Sequence, residues 1–183
     1  MKTQTKILTL PGYLGSDEGH WQTIWEQQLD NIERVQQNDW EFPQLSEWLK
    51  TLNSQIQNSD NNIVLVSHSL GCSLINHWAA NYQSEKVIGA LMVAPADIES
   101  DQHTPEVLRN FAPMPIQNLP FPSIVVTSDN DPYVSLSRAQ YFADCWGSRF
   151  INYGPYGHLN AESGLGNWEY GKELIEQLIN TQN

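Results

Sequence analysis

Short apolar runs alternate with amphipathic helical stretches along the chain, and this alternation restricts the fold more than any other feature. The runs are rich in Ile and Val without strict polar alternation, which is typical of strands covered on both faces. They span residues 7–10, 63–67, 87–94, 123–127 and 149–153, with a weaker candidate at 32–36. The pattern predicts an α/β fold, a mostly parallel sheet of about six strands with helices on both faces.

Five stretches between these runs carry apolar residues at helical spacing. They span residues 21–29, 45–56, 70–82, 139–146 and 170–179. Pro43 is expected in the first turn of the second helix, because proline suits a position whose N–H has no helical partner. Ser135 is expected to cap the fourth helix and Gly147 to end it.

A length of 183 residues fits one domain, and we expect residues 1–183 to form it. Six of the ten prolines lie between Pro95 and Pro122. Proline removes a backbone donor and fixes φ, so segment 95–122 is expected to be irregular. It follows a strand at the edge where sites form in such sheets. Two interpretations stay open for it, a small cap over a pocket and a long surface loop.

The net charge of −12 repels phosphate backbones and anionic membrane surfaces, so neither nucleic acid nor membrane is expected as a partner. No apolar stretch is long enough for a signal peptide or a membrane span. Cys72 and Cys145 are the only cysteines, and they form no CxxC motif. A cytoplasmic location with two free thiols is the simplest expectation.

Residues 63–71, IVLVSHSLG, lead from an apolar strand directly into a helix. A serine at such a junction sits on a tight, strained turn that exposes its hydroxyl above the sheet. Small residues are needed two positions on either side of Ser69, and Ser67 and Gly71 meet that need, although glycine is usual where Ser67 stands. Ser69 is therefore the candidate nucleophile, and a serine that merely caps the helix is the alternative.

A serine hydroxyl needs a base to remove its proton. His158 follows the last strand, in a loop with glycines at 154 and 157 that can aim an imidazole at the top of the sheet, so it is the candidate base. His68 neighbours the serine but is expected to point away from it. His77 lies about two turns along the next helix, His103 lies in the proline-rich segment, and His20 opens the first helix.

The base in turn needs an acid to fix its tautomer. The loop after strand 123–127 offers Asp131 and Asp129, and Asp131 is preferred because Pro132 stiffens the backbone beyond it. Asp97, after the preceding strand, is the third candidate. The resulting chain order of Ser, Asp and His is the order of α/β-hydrolases and differs from that of other serine-hydrolase folds.

An oxyanion formed at Ser69 needs hydrogen-bond donors. The backbone N–H of Leu70, at the start of a helix, is one candidate. The second is expected from the glycine-containing loop after the first strand, with the N–H of Tyr13 preferred and that of Leu14 as the alternative.

A metal site is the rival chemistry. It would use His20, His68 and His158, but no HxH or HExxH spacing supports it, so no metal is expected. Core packing is the expected role of Cys72. Packing is also preferred over pocket lining for four aromatic residues, which are Tyr13, Phe111, Tyr133 and Trp168.

Four motifs together resemble one known family. They are Pro11-Gly12-Tyr13 through Gly19-His20-Trp21, Ser67-His68-Ser69-Leu70-Gly71, Asp131-Pro132-Tyr133, and Gly157-His158-Leu159-Asn160-Ala161-Glu162-Ser163-Gly164. This is the small serine hydrolase family that includes retinoblastoma-binding protein nine and bacterial relatives. The resemblance implies a minimal, nearly lidless α/β-hydrolase with a triad at Ser69, Asp131 and His158, and an esterase- or peptidase-like activity. The animal relative's retinoblastoma-binding motif is not evident.

These observations predict a serine hydrolase that cleaves a small ester, thioester or amide through an acyl-enzyme, without a cofactor. A small-molecule or acylated substrate is the expected partner. The alternatives are a catalytically weak hydrolase scaffold that acts as a binding protein, and an acyltransferase on the same fold.

Overall fold

The computed structural model describes residues 5–181. Its sheet has six strands in the order β2-β1-β3-β4-β5-β6, and every neighbouring pair is parallel. The strands are β1 (Thr5–Leu10), β2 (Ile32–Arg34), β3 (Asn62–His68), β4 (Val87–Val93), β5 (Ser123–Thr127) and β6 (Arg149–Asn152). The prediction of an α/β fold with about six strands is confirmed.

In the described residues four α-helices lie between strands and a fifth follows β6, and together they cover both faces of the sheet. They are α1 (Trp21–Gln28), α2 (Leu45–Gln57), α3 (Leu70–Asn81), α4 (Leu136–Trp146) and α5 (Glu169–Asn180). Strand β3 shows the two-sided burial directly. Its Ile63 and Leu65 join one core cluster, whereas Val64 and Val66 join the other. Successive side chains of a strand point to opposite faces, so the continuous apolar run is explained by helices on both sides.

The expected helix ends are right for α4 and wrong for α2. The Ser135 hydroxyl accepts a hydrogen bond from Arg138 N–H, and Gly147 ends the helix with φ 67°, a left-handed conformation that glycine adopts without strain. Helix α2, in contrast, has Gln44 at its N-cap. Pro43 thus lies just before the helix rather than in its first turn, and its carbonyl accepts a hydrogen bond from Asn110 Nδ2.

Segment 95–122 contains one short 3₁₀ helix, Glu106–Phe111, and is otherwise irregular. A single guanidinium holds its first half together. Arg109 donates to the carbonyl oxygens of Ile98 at 2.8 Å, Ser100 at 2.7 Å and Thr104 at 2.8 Å. These carbonyls have no hydrogen-bond donor from a strand or a helix, and the Arg109 side chain supplies donors in their place.

Across the described residues, 5–181, no helix combines the length and the apolar character needed to cross a bilayer. The cytoplasmic location stays a prediction.

Candidate active site

Ser69 lies on a sharp turn between the end of β3 and the start of α3. Its backbone has φ 54° and ψ −119°, which is strained for a residue with a side chain. A Cβ on Gly71 would come within 2.2 Å of the Leu10 carbonyl oxygen, which shows how tight the turn is. The Ser69 side chain makes no capping hydrogen bond. The Ser69 side chain therefore does not cap the helix, and the strained turn has the geometry expected of a nucleophile turn.

Ser67 occupies the position where glycine is usual in such a turn. Its side chain is fully buried, and its hydroxyl lies 3.2 Å from the Cys72 sulfur. The turn needs a small residue at this position, and Ser67 is small enough, with its hydroxyl in contact with the Cys72 sulfur. Burial raises the pKa of the Cys72 thiol to about 12, so the sulfur stays protonated and unreactive, in agreement with its expected packing role.

Asp131 and His158 come together from the loops after β5 and β6. Both carboxylate oxygens of Asp131 lie 2.9 Å from Nδ1 of His158. The Asp131 carboxylate also accepts the backbone N–H of Tyr133 at 2.8 Å, which fixes its orientation. Of the other candidate acids, Asp129 accepts a hydrogen bond from the Asn152 amide, and Asp97 pairs with the Arg138 guanidinium at 3.2 Å. Of the three, Asp131 is the one that contacts His158.

The two loops that carry this pair are joined by a side chain that sequence reasoning missed. Asn130 Oδ1 accepts the backbone N–H of Gly157 at 2.7 Å and the Ser128 hydroxyl at 2.9 Å. The Ser128 hydroxyl oxygen in turn accepts the N–H of Tyr156 at 2.9 Å. Asn130 stands between the two candidate aspartates, but its partner Gly157 lies 27 residues away, and no local pattern indicates such a contact.

The loop after β1 approaches the serine turn very closely at Gly12. A Cβ on Gly12 would lie 2.7 Å from the Ser69 Cβ, 3.0 Å from the His68 carbonyl oxygen and 3.1 Å from Leu70 N. The first of these distances is shorter than any real carbon–carbon contact allows. Only glycine fits, and the backbone after β1 thereby comes against the start of α3.

Of the two N–H groups considered in that loop, one is already engaged. The N–H of Leu14 donates to the Trp40 carbonyl at 3.0 Å. The N–H of Gly15 donates to the Gly12 carbonyl at 3.0 Å, which closes a turn with Tyr13 inside it. This arrangement favours Tyr13 over Leu14 as a donor to an external group.

A cavity of about 430 Å³ opens over Ser69 and His158. Thr104, Pro105 and Leu108 of segment 95–122 form part of its wall. The remaining lining residues are Tyr13, Leu14, Gly15, Asp17, His20, His68, Ala96, Tyr133, Asn160, Ala161 and Glu162. Part of segment 95–122 therefore borders the pocket, and its role as a cap stays a prediction.

The preference for packing over pocket lining is correct for two of the four aromatic residues. Phe111 and Trp168 are buried in the core, at 0% and 4% exposure. Tyr13 and Tyr133, in contrast, line the cavity, so the preference was wrong for these two. Both stand in loops at the carboxyl ends of strands, where side chains face the site rather than the core.

A family model described as serine hydrolase matches residues 7–177. The chain belongs to the serine hydrolase family. The match covers nearly all of the sequence, so this membership describes the whole fold rather than one motif. The resemblance that the four sequence motifs indicated is confirmed.

Solved structures agree with this membership. A YdeN-like hydrolase from Pectobacterium atrosepticum is 31% identical to this serine hydrolase and superimposes with a TM-score of 0.84, covering 96% of this chain and 90% of that chain. The ydeN gene product of B. subtilis is 17% identical, with a TM-score of 0.76 and coverage of 97% and 100%. Est1E from Butyrivibrio proteoclasticus is 14% identical, with a TM-score of 0.70 and coverage of 97% and 89%. The last two show the α/β-hydrolase fold alone. A comparison with curated protein sequences gave no match.

Two further histidines of this serine hydrolase pack behind His158. The ring centroid of His68 lies 4.7 Å from that of His158, and the centroid of His20 lies 4.6 Å from that of His68. His68 was expected to point away from the serine. The expectation is wrong, because His68 lines the same cavity as Ser69 and contacts the His158 loop.

His20 and His68 are both neutral. Burial lowers the pKa of His20 to about 3, with Arg34 and His158 adding to the effect. Burial likewise holds the pKa of His68 well below its usual range, and the neighbouring histidines lower it further. Neither ring therefore adds a positive charge beside His158.

The rival metal site also has no geometric support. Although three histidine rings are in contact, no group of three or more His, Cys, Asp or Glu side chains within residues 5–181 is arranged to hold a metal ion.

The buried histidines make the folded state sensitive to acid. His20, His68 and His77 all have a lowered pKa in the folded chain, so below about pH 6.5 the unfolded chain binds protons that the folded chain does not. We expect the free energy of unfolding to fall by up to about 1.4 kcal/mol per pH unit for His20 and for His68, and His77 adds a loss in the same direction. The loss begins near pH 6.5, and for His20 it ends near its folded pKa of about 3.

Urea unfolding at neutral pH and at about pH 5 measures this loss. The His20→Asn variant keeps a helix-capping acceptor but removes the titrating group, so its stability should depend less steeply on pH than that of the native chain. Equal pH dependence in the two proteins would contradict the expectation.

Proposed function

We propose that this serine hydrolase cleaves a small ester, thioester or amide through an acyl-enzyme. In the proposed mechanism Ser69 is the nucleophile, His158 the general base and Asp131 the acid that orients it. The observation that carries the proposal is the Asp131–His158 pair, at 2.9 Å, on the wall of the cavity that also contains Ser69.

The position of Asp131 decides the direction of proton transfer. A carboxylate at Nδ1 of His158 favours the tautomer with hydrogen on Nδ1, which leaves a lone pair on Nε2. Nε2 then takes the proton of the Ser69 hydroxyl as its oxygen attacks the substrate carbonyl carbon. The resulting imidazolium gives this proton to the leaving alcohol, thiol or amine, and the acyl group stays on Ser69.

Deacylation uses the same groups in reverse. His158, neutral again, takes a proton from a water molecule that attacks the acyl carbon. The new tetrahedral intermediate collapses, the proton returns to the Ser69 oxygen, and the carboxylic acid product leaves. Water is the only reactant consumed besides the substrate, so the proposed reaction requires no cofactor.

Two backbone donors are proposed for the oxyanion of both intermediates. Leu70 is the first residue of α3, and the N–H groups of a first helical turn have no partner within the helix. Tyr13 is the second donor. The close approach of Gly12 to Ser69 and Leu70 supports the assignment, because it brings both peptide segments beside the nucleophile.

The charges around the cavity favour substrates without a negative charge. Asp17 and Glu162 contribute carboxylates to its wall, and the described lining residues include no lysine or arginine. The chain as a whole carries a net charge of −12. An anionic acyl group would therefore meet like charge at the entrance, whereas a neutral one would not. We propose neutral acyl groups of modest size as substrates.

Covalent labelling tests the proposed nucleophile directly. A neutral alkyl fluorophosphonate should attach to Ser69, and peptide mapping by mass spectrometry should find the label there. Short neutral p-nitrophenyl esters should be hydrolysed, and an otherwise equal ester with a carboxylate on its acyl chain more slowly. A folded protein that is neither labelled at Ser69 nor active on these esters would instead be a binding scaffold.

A further inference from the structure

His68 joins the nucleophile turn to the loop of the proposed base through one buried hydrogen bond. Its Nε2 lies 2.8 Å from the carbonyl oxygen of His158, 90 residues along the chain. A carbonyl oxygen only accepts, so Nε2 of His68 carries the hydrogen and donates it. His68 is 5% exposed, so water does not compete for this bond, and its next neighbour in the chain is Ser69.

The same imidazole also contacts the ring of His158. The two ring planes meet at 60°, with centroids 4.7 Å apart. Tyr133 provides a further contact, with its centroid 4.4 Å from that of His158. The backbone and the ring of His158 are thus both held by His68, while Asp131 holds only Nδ1.

His20 supports His68 from the next position in the stack. Its Nδ1 accepts the backbone N–H of Gln22 at 3.2 Å, which fixes the ring at the start of α1. Its ring meets that of His68 at 70°. His68 is therefore restrained by a neighbour that is itself anchored, and it has little freedom to follow a displaced His158.

We infer that His68 is a positioning residue for the proposed reaction, because its hydrogen bond to the His158 carbonyl sets the distance between the general base and Ser69. The inference rests on the proposed function. His68 belongs to the nucleophile turn itself, so the hydrogen bond links the loop of His158 directly to the residue that precedes Ser69. Small errors in such a distance are costly, since a misplacement of about 1 Å can lower a rate by about 10²-fold.

His77 is a matched control for this role. Its Nε2 lies 2.6 Å from the Phe111 carbonyl oxygen, it is 8% exposed, and burial lowers its pKa. It is thus a second buried histidine that donates to a backbone carbonyl from the same region of the chain. It does not line the cavity that contains Ser69 and His158.

The test compares His68→Phe, His68→Gln and His77→Phe. Phenylalanine fills the space without a donor, whereas glutamine can place an amide N–H near the position of Nε2. We expect His68→Phe to lower kcat about 10²-fold with KM nearly unchanged, and His68→Gln to recover most of that loss. His77→Phe should lower stability without changing kcat.

Proton NMR gives a readout that does not depend on turnover. The hydrogen between His158 Nδ1 and Asp131 should give a low-field resonance in the native protein, in His68→Gln and in His77→Phe. In His68→Phe this resonance should broaden or move upfield. A purely structural role for His68 predicts equal behaviour of the two phenylalanine variants.

Two results would overturn the inference. One is a folded His68→Phe protein with native kcat and a native low-field resonance. The other is a folded His68→Gln protein that loses as much as the phenylalanine variant, because the donated hydrogen would then be irrelevant. If His68→Phe does not fold, a folded His68→Gln protein that loses most of the native kcat and the low-field resonance still overturns the inference. Absence of Ser69 labelling in the native protein would refute the proposed function, whereas the resonance reports on the His68 contact separately.

Discussion

We expect Ser69→Ala to lower kcat for a neutral p-nitrophenyl ester by about 10³-fold or more. The variant removes the oxygen that attacks the carbonyl, and the nearby Cys72 sulfur cannot replace it, because it is buried with a pKa raised to about 12. Alanine meets the same backbone strain at φ 54° as serine does. The Ser69 side chain also makes no capping hydrogen bond, so the free energy of unfolding should change little.

Steady-state kinetics and thermal unfolding measure the two effects. Ser54→Ala is the control, since Ser54 is an exposed residue of α2 far from the cavity in the fold, and it should keep native kinetics and native labelling. If Ser69→Ala retained most of the native kcat while remaining folded, another residue would have to be the nucleophile.

The second large effect is expected for Asp131→Asn, on the order of 10⁴-fold in kcat. Both carboxylate oxygens lie 2.9 Å from Nδ1 of His158. One of them also accepts the Tyr133 N–H, so the amide oxygen of the variant is drawn to that side. The amide NH₂ then faces Nδ1 and donates to it, which moves the imidazole hydrogen to Nε2. In that tautomer Nε2 has no lone pair to accept the Ser69 proton.

Asp129→Asn is the matched control, because it removes the same charge from the same loop without touching His158. Its carboxylate accepts from Asn152 instead, so its kcat should stay close to native. Comparison of kcat for the two variants, with far-UV circular dichroism to verify folding, measures the difference. Equal losses in both variants would mean that loop charge, rather than imidazole orientation, controls the rate.

Much of the fold could be predicted because its signal is local. Hydrophobic runs of strand length and apolar stripes at helical spacing reflect burial on one or two faces, and each is readable within a dozen residues. Strand β5 was predicted with its observed bounds, Ser123–Thr127. Pro43 was misplaced by two positions, because α2 begins at Leu45 after the N-cap Gln44. The Pro43 carbonyl accepts a tertiary hydrogen bond from Asn110, and no local pattern indicates that contact.

The candidate site was predictable where a chemically suitable residue directly follows a predicted strand. Ser69, Asp131 and His158 each follow a strand of a parallel sheet, and the carboxyl ends of such strands meet at one edge. The roles assigned to the three remain proposals.

The supporting residues were not predictable in the same way. His68 was expected to turn away from the serine, and Asn130 was not considered. Their partners lie 90 and 27 residues away. Such contacts depend on how loops pack once the sheet has formed, and no spacing in one sequence records that packing.

The organisation of segment 95–122 has a consequence for how substrate preference can diverge among related enzymes. Its pocket wall, which includes Thr104 and Leu108, lies outside the sheet. It is held both by the Arg109 guanidinium and by the burial of Leu108 in the core. The residues beneath it are constrained, since Gly12 and Gly71 leave no room for a side chain. Under the proposed function, substitution of the exposed Pro105 in this wall should change the preference for acyl groups while the residues around Ser69 keep their places, which makes the wall the natural region for library-based engineering.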